Sequence, residues 1–166
     1  MEITLKNLQK KIPIPGRKIR KVVKLALNKL EGKRGHVPFS NKLNNEKGPC
    51  PLFSHFNLSI VFVGPKRMRA INKAYLNHDY VTDVLTFNLG ENTAEIIICP
   101  RVANSNAKSH QTSTENEIIL YVIHGILHLS GYDDLDPKDI LKMRQMENEL
   151  LINSLPLVGR AREGGK

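Results

Sequence analysis

The run from Ile118 to Leu129, IILYVIHGILHL, constrains this chain more than any other stretch. It is apolar on nearly every side, and a helix of that kind is buried. Yet it carries His124 and His128, four residues apart, which puts both imidazoles on one helical face about one turn from each other. An unsatisfied polar group in such a place costs on the order of 1–3 kcal/mol, so carboxylates, carbonyls or a metal must satisfy the pair. Just beyond, Gly131 can take the left-handed conformation that ends a helix. The chain can then turn back, and Asp133 or Asp134 can swing toward the rings. Two neutral imidazoles and one carboxylate suffice for a catalytic zinc that keeps its fourth position for water. The expected ligand set is His124, His128 and Asp134, holding one zinc ion per chain.

The remaining chain suits one domain. Its 166 residues can bury a core without disulfides. Cys50 and Cys99 stand far apart and in no metal-ligand spacing, as in a reduced cytoplasmic protein. No run is long and apolar enough for a membrane, and MEITLKNLQKK lacks the apolar core of a secretory signal. The expectation is therefore a cytoplasmic protein without membrane contact. A formal charge of +9 favours a polyanion such as nucleic acid, though phosphate contacts position a chain without reading bases.

In chain order, Glu2 to Asn7 alternates like a half-buried strand. After IPIPG, the residues Ile19, Val22, Val23, Leu25, Ala26 and Leu30 recur at helical spacing. Lys18, Arg20, Lys21, Lys24 and Lys29 fill the other positions, which suggests a helix with an RNA-facing basic side. Residues 31–54 are rich in Gly, Pro and Asn and read as a surface loop insertion. FNLSIVFV, Phe56 to Val63, is the clearest strand. Pro65 opens a helix with Lys66, Arg67 and Arg69 in its first turn, where an anion would offset the crowded positive charge. Val84 to Phe87 is a third strand, preceded by a Thr82–Asp83 turn cap, and Ala94 to Cys99 a fourth. The helix of Arg101 to Ser109 looks too polar to be buried. Thr114 and Glu117 form a capping-box pattern that starts the histidine helix. A last amphipathic helix carries Ile140, Leu141, Met143, Met146, Leu150 and Leu151, and residues 159–166 form a flexible basic tail.

Two segments carry a resemblance. HGILHLSGYDD is similar to the H-G-x-x-H-x-x-G-Y-D-H signature of the YbeY family of endoribonucleases, whose three histidines bind zinc. His124, Gly125, His128, Gly131, Tyr132 and Asp133 match, and Asp134 stands where that family has its third histidine. TDVLTF, from Thr82 to Phe87, resembles the family's T-D-V-L-S-F segment beside the zinc cleft. Leu76 stands where the family has an arginine implicated in activity; Lys73 or Arg69 could replace it in space. The resemblance implies a single-strand-specific, metal-dependent endoribonuclease of rRNA processing, 16S rRNA 3′ end maturation and ribosome quality control. Its partners would be rRNA and the ribosome or its small-subunit proteins. The alternative is a ribosome-associated RNA-binding factor with a structural metal and weak or lost catalysis. A metalloprotease of the H-E-x-x-H type is disfavoured, because the residue after His124 is Gly125 and not the general-base Glu. The expected fold is α+β: a single domain over 1–158 with a mixed four-stranded sheet, helices packed on it, and the zinc-binding helix near the centre.

Overall fold

Alternation along four short segments builds the sheet. The computed structural model describes residues 2–31, 56–90 and 92–154; the loop expected over 31–54, apart from Glu31, which ends a helix, and the tail over 159–166 lie outside them. The strands are β1 (Glu2–Asn7), β2 (Asn57–Phe62), β3 (Val84–Asn88) and β4 (Thr93–Ile98), in the spatial order β1-β2-β4-β3. β1, β2 and β4 run parallel, and β3 closes the edge antiparallel to β4, so the sheet is mixed as expected. Because strand side chains alternate, Leu58, Ile60 and Phe62 of β2 join Ala94, Ile96 and Ile98 of β4 on one face. Val61, Val63, Leu85, Ile97 and Cys99 cluster on the other.

Among the described residues, five helices cover the two faces: α1 (Gly16–Glu31), α2 (Pro65–Leu76), α3 (Pro100–Ser109), α4 (Thr114–Leu129) and α5 (Pro137–Ser154). α2 seals the second cluster through the fully buried Met68. α4, the apolar run, lies at the centre of the other layer, packed on α1, α3, α5, β3 and β4. None of these helices is long and apolar enough to cross a membrane.

Four local expectations change. The cap of α4 falls one residue early: the Ser113 hydroxyl accepts from the Asn116 amide at 3.1 Å. Ser113 holds the extended backbone of an N-cap (φ −98, ψ 148), leaving Thr114 inside the helix, where its hydroxyl donates to Asn104 of α3. Glu117 is buried and accepts from the Thr112 hydroxyl at 2.6 Å, so it closes no capping box. α3 is not wholly exposed, since Ala103 and Ala107 form a small-residue stripe that lets it approach α4. On α5 Leu141 points to solvent, and the buried stripe is Met143, Met146 and Leu150.

Three cations on the basic side of α1 have partners within the fold. Lys18 pairs with Glu115 of α4, Lys29 with Glu149 of α5, and the Arg20 guanidinium donates to the Ile3 carbonyl of β1. Lys21 and Lys24 stay exposed.

Gly125 explains how α4 sits so near the sheet. A Cβ built there would lie 2.9 Å from Ile96 Cδ1 and 3.0 Å from its Cγ2. Ile96 is fully buried, so it has little room to yield. Alanine at 125 gains helix propensity of about 1 kcal/mol, but overpacking costs about 1–3 kcal/mol. Gly125→Ala is expected to lower stability in urea unfolding, and the loss should shrink in an Ile96→Val background, which removes the nearest methyl.

Candidate metal centre

α4 ends as its sequence dictates. Gly131 takes φ +84, the Tyr132 amide donates to the Leu127 carbonyl at 3.0 Å, and the Gly131 amide donates to the His128 carbonyl at 3.0 Å. This Schellman arrangement caps the helix and folds the chain back over its last turn. Two consequences fix the site. The Tyr132 carbonyl comes within 3.2 Å of His128 Nδ1, and Asp134 arrives opposite both rings.

Three donors converge. His124 Nε2 and His128 Nε2 are 3.0 Å apart, and Asp134 offers Oδ2 at 4.0 Å from the first and Oδ1 at 3.9 Å from the second. One donor atom from each residue falls within a mutual span of 4.8 Å. Two nitrogens bound tetrahedrally to one zinc at about 2.0–2.1 Å would stand about 3.4 Å apart, so the span fits a single ion after small adjustment. Between Asp133 and Asp134, the geometry selects Asp134: the Asp133 carboxylate instead accepts from the Asp134 amide at 2.7 Å.

The hydrogen bonds behind the rings decide their chemistry. His124 Nδ1 lies 2.7 Å from Glu147 Oε1 on α5, so Nδ1 carries hydrogen and donates to the carboxylate. His128 Nδ1 faces a carbonyl, which only accepts, so it too carries hydrogen. In neutral rings both Nε2 atoms then present lone pairs to each other across 3.0 Å, an arrangement that demands a cation or a proton between them. Burial acts to lower the pKa of His124, but the Glu147 hydrogen bond and charge, with Asp134 and Asp83, prevail and hold it above the ordinary imidazole value. Burial and the neighbouring His124 push His128 below it. Of the two rings, His124 thus holds a proton more readily than His128.

Glu147 escaped the sequence reading. It sits among Met143, Met146 and Leu150, and its side chain is only 15% exposed. A carboxylate inside the apolar stripe of an amphipathic helix was the available signal. Asp83 caps β3 as expected, accepting from the Val84 amide at 2.8 Å and the Thr82 hydroxyl at 3.0 Å. Leu76 ends α2 half exposed. Arg69 and Lys73 do not serve the centre: both clasp Asp79, at 2.8 and 3.2 Å. The two cations draw the exposed Asp79 carboxyl down to about 2.

A cleft of about 440 Å³ opens on the rings, walled by Val84, Leu85, Thr86 and Asn88 of the edge strand β3 and by Leu129 and Gly131.

A family model described as Endoribonuclease YbeY matches residues 4–154. The Endoribonuclease YbeY of Salinibacter ruber is 38% identical over 112 residues, covering 60% of this chain and 71% of the relative. That of Thermodesulfovibrio yellowstonii is 32% identical over 162 residues, covering 90% of this chain and 95% of the relative. The solution structure of TM1509 from Thermotoga maritima has the same fold, with a TM-score of 0.57 at 22% identity over 92% of this chain and 89% of that one.

Three measurements test the centre. Glu147→Ala leaves the three donors in place but frees the His124 ring, and its metal affinity should fall about 10–100-fold in a chelator competition. His124→Ala and His128→Ala should each abolish stoichiometric metal binding. Because the bridging proton must leave when metal enters, uptake below the raised His124 pKa should release one proton, and affinity should fall as pH falls. Calorimetry in buffers of differing ionisation enthalpy reads that proton directly.

Proposed function

The chain belongs to the YbeY family of endoribonucleases, and from that premise we propose that it cuts single-stranded rRNA in a zinc-dependent reaction, acting in 16S rRNA 3′ end maturation and ribosome quality control. The proposed setting is the cytoplasm, at the ribosome and its small-subunit proteins.

The observation that carries this reading is that the donor set among the described residues stops at three. His124, His128 and Asp134 supply three protein donors beside an open cleft. A structural zinc is closed off by four protein ligands, whereas a catalytic one keeps a position open. The side chains of His128 and Asp134 are 29% and 46% exposed, so the substrate can approach. This favours an enzyme over an RNA-binding factor with a structural metal.

Zinc held there would supply Lewis acidity, bringing the pKa of water toward ~7 and polarising a phosphoryl oxygen. Glu147 fixes the His124 tautomer and aims Nε2 at the centre. The Tyr132 carbonyl does the same for His128. Asp134 adds a hard, anionic ligand that offsets part of a dication's charge. β3 walls the cleft that an extended single strand would enter. Gly125 occupies the position that H-E-x-x-H peptidases give to their general base, and its contact with Ile96 leaves no room for a side chain. The net charge of +9 assists capture of RNA.

His128→Ala is expected to lose cleavage of a single-stranded rRNA fragment by about 100-fold or more, while retaining RNA binding. RNA affinity should fall with rising salt in both proteins. An undiminished rate in the variant would remove the centre from the reaction.

A further inference from the structure

We propose that Arg144 is the cation that holds the scissile phosphate at this centre, donating two guanidinium N–H groups to its non-bridging oxygens. The inference rests on the nuclease reading above.

Two clefts meet at His124. One is the cleft beside β3; the other, of about 300 Å³, lies between α4 and α5 and is lined by Asp83, Tyr121, Asp134, Arg144 and Glu147 among others. Among the described residues that line either cleft, Arg144 alone carries a fixed positive charge. Every other ionic group there is a carboxylate or an imidazole. A phosphodiester entering this space adds a negative charge to those of Asp83, Asp134 and Glu147, and its oxygens gain more as the P–O bond is attacked. A cation beyond the metal is therefore needed to offset that field.

Arg144 is placed for the task by the residue that orients His124. It precedes Glu147 by three positions on α5, so the two share a helical face. The register that sets Glu147 against His124 thereby sets Arg144 beside the same cleft. Its guanidinium is also uncommitted: among the described residues it has no ion-pair partner, and the nearby carboxylates are engaged elsewhere. Glu147 is bonded to His124, Asp83 to Val84 and Thr82, and Asp134 faces the two Nε2 atoms. The cations of α2 offer no substitute, since Arg69 and Lys73 are held by Asp79 and line neither cleft. Arginine suits the role because its planar fork matches two phosphoryl oxygens at once, and it stays protonated throughout. It transfers no proton and forms no covalent bond.

The experiment is steady-state cleavage of a single-stranded RNA oligonucleotide by the zinc-loaded full chain. Arg144→Ala should lower kcat about 100-fold with a smaller change in KM, and with metal content and melting temperature unchanged. Arg144→Lys keeps the charge but not the fork and should recover part of the rate. Free guanidinium should accelerate the alanine variant and not the wild type. An alanine variant with wild-type kcat would overturn the assignment. So would a loss of metal in parallel with rate in both variants, since Arg144 would then act only through the centre's architecture. A wild-type protein that leaves the RNA intact would instead sink the nuclease reading, and this inference with it.

Discussion

The arrangement depends on two imidazole nitrogens being forced together with their lone pairs facing. Neither ring could hold that position alone. Each is pinned from behind, His124 by Glu147 and His128 by the Tyr132 carbonyl. Repulsion between the facing nitrogens is thus built into the fold and is relieved only by a positive species between them. The low dielectric of the half-buried site strengthens both the repulsion and its relief. Asp134, the most exposed of the three, adds a carboxylate that would favour a metal ion over a proton.

The rest of the fold serves this contact. Gly125 lets α4 press against Ile96 of β4, which seats the histidine-bearing turns beside the edge strand. The Schellman turn at Gly131 brings back both a carbonyl and a carboxylate with one reversal of the chain. The Met143, Met146 and Leu150 stripe fixes the rotation of α5, and with it the approach of Glu147.

Much of this was legible in the residues because the relevant spacings are short. Alternation marked β1 and β2, the apolar run marked α4, and the His124, His128, Gly131, Asp134 order already implied that the three donors converge. The contact between Glu147 and His124 was not legible, because it spans 23 positions and nothing local couples the two. The partners of the α1 cations were not legible for a related reason. A basic stripe looks the same whether it faces RNA or reaches sideways to Glu115, Glu149 and the Ile3 carbonyl. The capping residue slipped because Ser113 and Thr114 both qualify chemically, and only backbone angles distinguish them. α3 was misjudged because alanines contribute little hydrophobicity but permit close approach.

The placement of Glu147 on α5 also bears on how the protein comes off its template. A growing chain contains both histidines and Asp134 while the last helix is still unmade. Until that helix emerges and docks, the His124 ring can spin and its tautomer is unfixed. Translation order thus makes the three donors before the carboxylate that orients one of them.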